Sequence, residues 1–248
     1  MTAAALRDVE NQLAVPPHPG SFSEADLIGL PVPAQRMLRT AIVPGTQLTA
    51  AAHLRMRGSI RIGRWLPFRA TQVIAPSVGF LWRARVAGII EGYDRSVDGQ
   101  GEMQWKLARL FTLVSSSGPD VSRSASGREA GEALWVPTAL LPRFGVQWRA
   151  DDDHHPVALI PTTHGPTEVR YEIDADGRVR SLVLDRWGDP SGSGDFGLNT
   201  FGGEMTHYEA FGGMAIPTRG LVGWNFRTPA WSSGAFFRFR ITAYEPAR

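Results

Sequence analysis

The chain has 248 residues, 43% hydrophobic and 20% charged, the composition of a globular protein rather than a disordered one. A formal net charge of +2 is too small to point to nucleic acid, and the absence of cysteine excludes disulfides, thiolate catalysis and cysteine-based zinc sites. No apolar run is long enough to span a bilayer as a helix, so no stable membrane insertion is expected.

Residues 1–20 read as a loosely patterned helix followed by the linker Pro16-Pro17-His18-Pro19-Gly20. Met1 to Gln12 carry no basic stretch followed by an apolar one, so a cytoplasmic location is expected. Ser23-Glu24-Ala25-Asp26 starts a short helix, and Val32 to Thr40 form another with Pro33 in the first turn. Residues 1–45 are thus expected to be a helical arm, and 46–248 a single β domain.

From His53 the period becomes two. Leu54, Met56, Gly58, Ile60 and Ile62 alternate with Arg55, Arg57, Ser59 and Arg61, giving one apolar and one basic face. Strands follow at Trp65 to Ile74, Phe80 to Val86, Ile89 to Asp94, Gly101 to Leu107 and Leu110 to Ser115. Ser115 to Ser126 reads as a polar loop. A central helix over 126–141 comes next, with Ser126 as cap and Glu129 as its capping-box partner. Pro137 predicts a break near Val136. Beyond Pro142 the meander resumes, with the strongest hairpin signal at Asp174-Ala175-Asp176-Gly177. Further strands are expected at Thr206 to Phe211, Met214 to Thr218, Leu221 to Phe226 and Ala235 to Tyr244. The fold class is mainly β (α+β): a large curled antiparallel sheet or half-barrel with a central helix and N-terminal helices.

The runs Gly79-Phe80-Leu81-Trp82, Asp98-Gly99-Gln100-Gly101-Glu102-Met103 and Trp135-x-Pro137-Thr138-Ala139-Leu140-Leu141-Pro142, with Gly145-Val146-Gln147-Trp148, resemble an uncharacterised bacterial family of unknown function. The resemblance covers most of the chain beyond residue 30 and implies no established reaction. Its β-helix-β layout looks like the half-barrels of lipoprotein carriers, although no secretory signal is expected from the pattern of Met1 to Gln12. It departs from the family pattern where Glu129-Ala130-Gly131 stands at positions usually aromatic and aliphatic.

Two carboxylates are candidate catalytic groups. Glu132, beside Trp135 on the helix, is either a general acid or base or the partner of Arg128 at helical spacing. Asp94 is either a site residue or a cross-strand partner of Arg83, Arg85 or Lys106. Lys106, the only lysine, is either a desolvated amine or a solvated strand residue. Trp65, Phe80, Trp82, Arg83, Trp105, Trp135 and Trp148 are the expected ligand-binding residues. His154-His155 reads as an exposed acidic turn rather than a metal site, since adjacent strand residues face opposite ways. No metal and no cofactor are expected. Three functions stay open: a cofactor-independent cyclase or isomerase enclosing a large apolar molecule, a carrier of such a ligand, and a structural protein whose hollow its own side chains fill. The expected partner is an apolar small molecule.

Overall fold

The computed structural model describes residues 3–247. A first run of strands comprises β1 (Ala52–Ile62), β2 (Arg64–Ala75), β3 (Gly79–Val86), β4 (Ile90–Val97), β5 (Gln100–Leu107) and β6 (Phe111–Ser117). A second comprises β7 (Gln147–Asp152), β8 (His155–Ile160), β9 (Thr167–Ile173), β10 (Val179–Gly188), β11 (Gly197–Phe211), β12 (Met214–Trp224) and β13 (Ala235–Pro246). Antiparallel pairing of β1 with β13 joins the two runs into one 13-stranded sheet. Its order is β6-β5-β4-β3-β2-β1-β13-β12-β11-β10-β9-β8-β7, so the sheet stays open with β6 and β7 at its edges.

The period-two pattern of β1 sets the two faces. Ala52, Leu54 and Met56 are buried while His53, Arg55 and Arg57 are exposed. The buried face belongs to the main core, which also takes in residues between the two strand runs. Helix α1 (Ala3–Leu13) lies on the opposite face, where Val9 and Leu13 pack with Val73, Leu81 and Tyr93. Helix α2 (Val32–Ala41) places Met37 and Leu38 in the main core against β7, β8 and β12.

The central helix begins earlier than its capping pattern suggests. Helix α3 spans Pro119–Glu132, with Pro119 in its first turn, so Ser126 lies inside it and caps nothing. The segment that reads as a polar loop is helical because its small residues let it approach the sheet. Ser122 Oγ accepts the Gly101 N–H at 2.9 Å and donates to the Gly118 carbonyl at 2.8 Å. A Cβ on Gly101 would stand 2.8 Å from Ser122 Cα, and one on Gly127 would stand 2.8 Å from Arg186 Cγ. The helix therefore packs against β5 and β10, bridging the two strand runs. Short 3-10 turns follow at Ala133–Trp135, Pro137–Leu140 and Pro142–Phe144. The break at Val136 falls as expected, with φ −127° and ψ 70°, because Pro137 disfavours a helical residue before it.

Two strand boundaries differ from the sequence pattern. β11 starts at Gly197 rather than Thr206, and β12 runs unbroken through Arg219 and Gly220. Asn199, Thr200, Gly202 and Gly203 lack the apolar alternation that marks a strand, yet pairing with β10 and β12 recruits them.

Candidate functional site

The inner face carries one ionic cluster, organised by Arg128 on α3. Its Nε meets Glu132 Oε1 at 2.7 Å, one helical turn away, and its Nη1 meets Asp94 Oδ2 at 3.0 Å across on β4. Asp94 Oδ1 accepts the Trp105 indole N–H at 2.9 Å, and Glu132 Oε2 accepts a Gln72 amide hydrogen at 2.5 Å. The Arg128 guanidinium lies 4.3 Å from the centroid of Phe80 and 5.4 Å from that of Trp82. The two nominated carboxylates, on different elements, thus share one cation. Glu132 takes its helical partner Arg128. Asp94 does not pair with Arg83, Arg85 or Lys106: those three line a trough on the outer face, while Asp94 points inward.

Burial sets the electrostatics here. It pushes the Asp94 carboxyl up, with Arg128 and the Trp105 hydrogen bond opposing. It also disfavours the Arg128 charge, yet the carboxylates of Glu132 and Asp94 hold that group above its ordinary value. Arg186, partly buried beside Arg128, is pushed down to about 10, by loss of water first and then by that neighbouring cation. Its guanidinium stacks 4.7 Å from Phe201, and its Nε donates to the Ser124 carbonyl at 3.0 Å.

A third carboxyl, which the sequence reading assigned to capping, belongs to the same helix. Glu129 is 0% exposed, and neither carboxylate oxygen has a hydrogen-bond partner among the described residues. Ser96 Oγ and Trp82 Nε1 are also buried without partners there. Burial raises the Glu129 carboxyl to about 7; the nearby Ser96 hydroxyl, though outside hydrogen-bonding geometry, and His164 oppose this, and the Glu132 charge adds to it. Starting the helix at Ser126 hid this residue. From Pro119, Glu129 falls three residues before Glu132 on a helix packed between the strand runs.

The expected aromatic hollow is closed. Trp82 meets Phe68 edge-on and Trp105 at a tilt, at centroid distances of 5.8 and 5.6 Å, and Trp135 meets Phe239 edge-on at 5.1 Å. Phe80, Trp82, Trp105 and Trp135 are all buried, so these rings contact protein rather than a space a ligand could enter. Between α2, the 3-10 turns and the sheet, a gap of about 20 Å³ remains beside Met37, Leu134 and Val179, room for about one water. Trp148 is half-buried in the second strand run, donating its indole N–H to the Leu140 carbonyl at 3.0 Å. Trp65 and Arg83 are not on this face. Trp65 is one residue out of phase with inward-facing Leu66 and stacks under Arg238, 4.2 Å from its ring centroid. Arg83 pairs with Glu10 of α1 at 2.7 Å. In the acidic turn, His155 Nδ1 meets Asp152 at 2.8 Å and His154 Nδ1 meets the Ile173 carbonyl at 3.1 Å, so the two rings serve different partners.

The inner face opens beyond α3. Val222, Phe237, Ile60 and Leu66 occupy consecutive paired positions on β12, β13, β1 and β2, and all four are only partly buried. They lead towards the hairpin ends, where Ile62, Ile89 and Leu110 are 53%, 57% and 78% exposed. The turns β1–β2, β3–β4 and β5–β6 share one edge of the sheet, because alternate turns of an antiparallel meander fall on the same side.

The geometry defines an open antiparallel half-barrel whose inner face is plugged at one level by a helix and left apolar and accessible at another. The model of the family of unknown function DUF6544 matches residues 20–237, and the chain belongs to that family. Among solved structures, the chain is similar to a putative outer membrane lipoprotein-sorting protein domain from Vibrio parahaemolyticus. That match has 8% identity, covers 79% of this chain and 85% of the other, and has a TM-score of 0.42. It is also similar to a LolA superfamily protein from Nitrosomonas europaea, at 11% identity over 86% of this chain and 93% of the other, with a TM-score of 0.45. No curated protein matches the chain.

Proposed function

We propose that the protein is a binding module that holds the apolar part of an amphiphilic small molecule on the inner shelf, without chemical conversion. The observation that carries this is the half-buried row Val222, Phe237, Ile60 and Leu66, continuous with the exposed apolar hairpin ends. A chain laid along it covers apolar surface that the protein leaves wet, at roughly 25 cal/mol per Å². Binding is favoured over a cyclase or isomerase because Glu132 and Asp94 are both engaged with Arg128. A carboxylate held in that way is poorly placed to move a proton.

The test pairs native mass spectrometry of freshly purified protein with titration of a fluorescent long-chain fatty acid. Saturable binding is expected, weakened at least tenfold by Leu66→Asp and unchanged by Trp65→Ala on the other face. Equal weakening by both variants, or no saturable binding, overturns the proposal.

A further inference from the structure

The outer face of the same sheet carries an arrangement that the inner shelf does not use. Arg219 pairs in register with Arg240, Arg240 with Arg57, Arg57 with Arg69, and Arg69 with Arg85. Five arginines thus stand side by side on β12, β13, β1, β2 and β3. With strands about 4.8 Å apart, the row is roughly 19 Å long. Like charges directly opposite one another destabilise a sheet, and a chain of net charge +2 has acids enough to answer them. It answers only one. Arg85 meets Glu91 at 2.5 Å, whereas Arg57, Arg69, Arg219 and Arg240 have no ion pair among the described residues. Two troughs of about 860 and 760 Å³ flank the row, and Arg57, Arg69 and Arg85 line both. Leu6 of α1 borders the first and Gly88 the second.

We infer that this row is a binding site for a linear polyanion, a chain bearing phosphate or sulfate groups along its length. Each guanidinium offers a planar fork of donors matched to such oxyanions. A file of mostly unanswered cations bordered by troughs suits a thread better than a flat bilayer. A base-bearing strand is a poorer fit, because it needs exposed aromatic platforms: Tyr93 in the trough is buried, and Trp65 is already covered by Arg238. The bound chain lies across the strands and its charges replace the missing acids.

The probe is inorganic polyphosphate, titrated by calorimetry into the full chain at 50 and 200 mM salt. Saturable binding is expected that falls at least tenfold at the higher salt. R57Q/R69Q/R240Q is expected to lose binding at least tenfold while keeping the wild-type melting temperature or exceeding it. The control R170Q/R178Q/R180Q removes the same net charge elsewhere and is expected to bind like wild type. Equal losses in the two triple variants mean a diffuse charge effect and overturn the site. Binding to vesicles of anionic phospholipid with none to polyphosphate also overturns it, in favour of a membrane surface. Fatty-acid binding is read separately, so failure here leaves the inner shelf untouched.

Discussion

The Arg128 cluster on the inner face and the arginine row on the outer face treat positive charge in opposite ways. Inside, Arg128 is gripped by Asp94 and Glu132 and stacked on Phe80, with further hydrogen bonds from Trp105 and Gln72 to the two acids. Outside, four of five aligned arginines go unanswered. A charge removed from water must be paired or, like Arg186, hydrogen-bonded and stacked on aromatic rings, or it destabilises the fold by several kcal/mol. A charge left in water repels its neighbours only weakly, and salt weakens that further. Removing charge inside should therefore disrupt the fold, and removing it outside should not.

The largest effect tests the inner half of this contrast. Arg128→Leu leaves two carboxylates, each with 17% of its side chain exposed, without their cation, and a loss of about 3 kcal/mol, the low end for a buried pair, is expected in chemical denaturation. Adding Asp94→Asn and Glu132→Gln to that variant should recover most of the loss. A cost below about 1 kcal/mol for the single change would mean that water reaches the cluster, and the contrast between the faces would fail.

Glu129 sharpens the same comparison through pH. Its carboxyl is raised from 4.5 to about 7 in the folded chain. Between those values the folded state keeps a proton that the unfolded state has lost, so this group's contribution to stability falls as pH rises, and levels off above about 7. Glu129→Gln removes the penalty. Its advantage over wild type should be small at pH 4.5 and grow to about 3 kcal/mol at most by pH 8. An advantage that stays constant with pH would place the Glu129 carboxyl in contact with water.

Gly127→Ala probes how closely α3 approaches the sheet. The new Cβ would stand 2.8 Å from the Arg186 side chain, so a loss of about 1–3 kcal/mol is expected in thermal unfolding. This position also shows why the sequence was legible in one place and not another. The strands of β1 and β2 were plain, since Leu54 and Met56 alternate with Arg55 and Arg57 and one face is buried. The start of α3 was not, because Ser122, Ser126 and Gly127 are buried by close packing rather than by hydrophobicity. Glu132 and Asp94 stood out as isolated acids near aromatic residues, but their meeting at Arg128 needed the approach of β4 to α3. Glu129 was masked by its resemblance to a capping residue.

The smallest expected effect tests the outer half. Arg57 faces Arg69 on one side and Arg240 on the other, and it has no ion pair among the described residues. Arg57→Gln removes two like-charge contacts and keeps a polar side chain in the row, so stability should rise by about 0.5 kcal/mol at low salt. The gain should vanish in 0.5 M salt, where the screening length falls to roughly 4 Å. A loss of stability instead would mean that Arg57 has a stabilising partner, and the row could then not be read as charge held open for a ligand. If the gain and its salt dependence are found, repulsion along the row is a standing cost of the folded chain. That cost ends when an anionic thread lies across the strands, so polyphosphate should stabilise wild type more than Arg57→Gln in the same melting experiment.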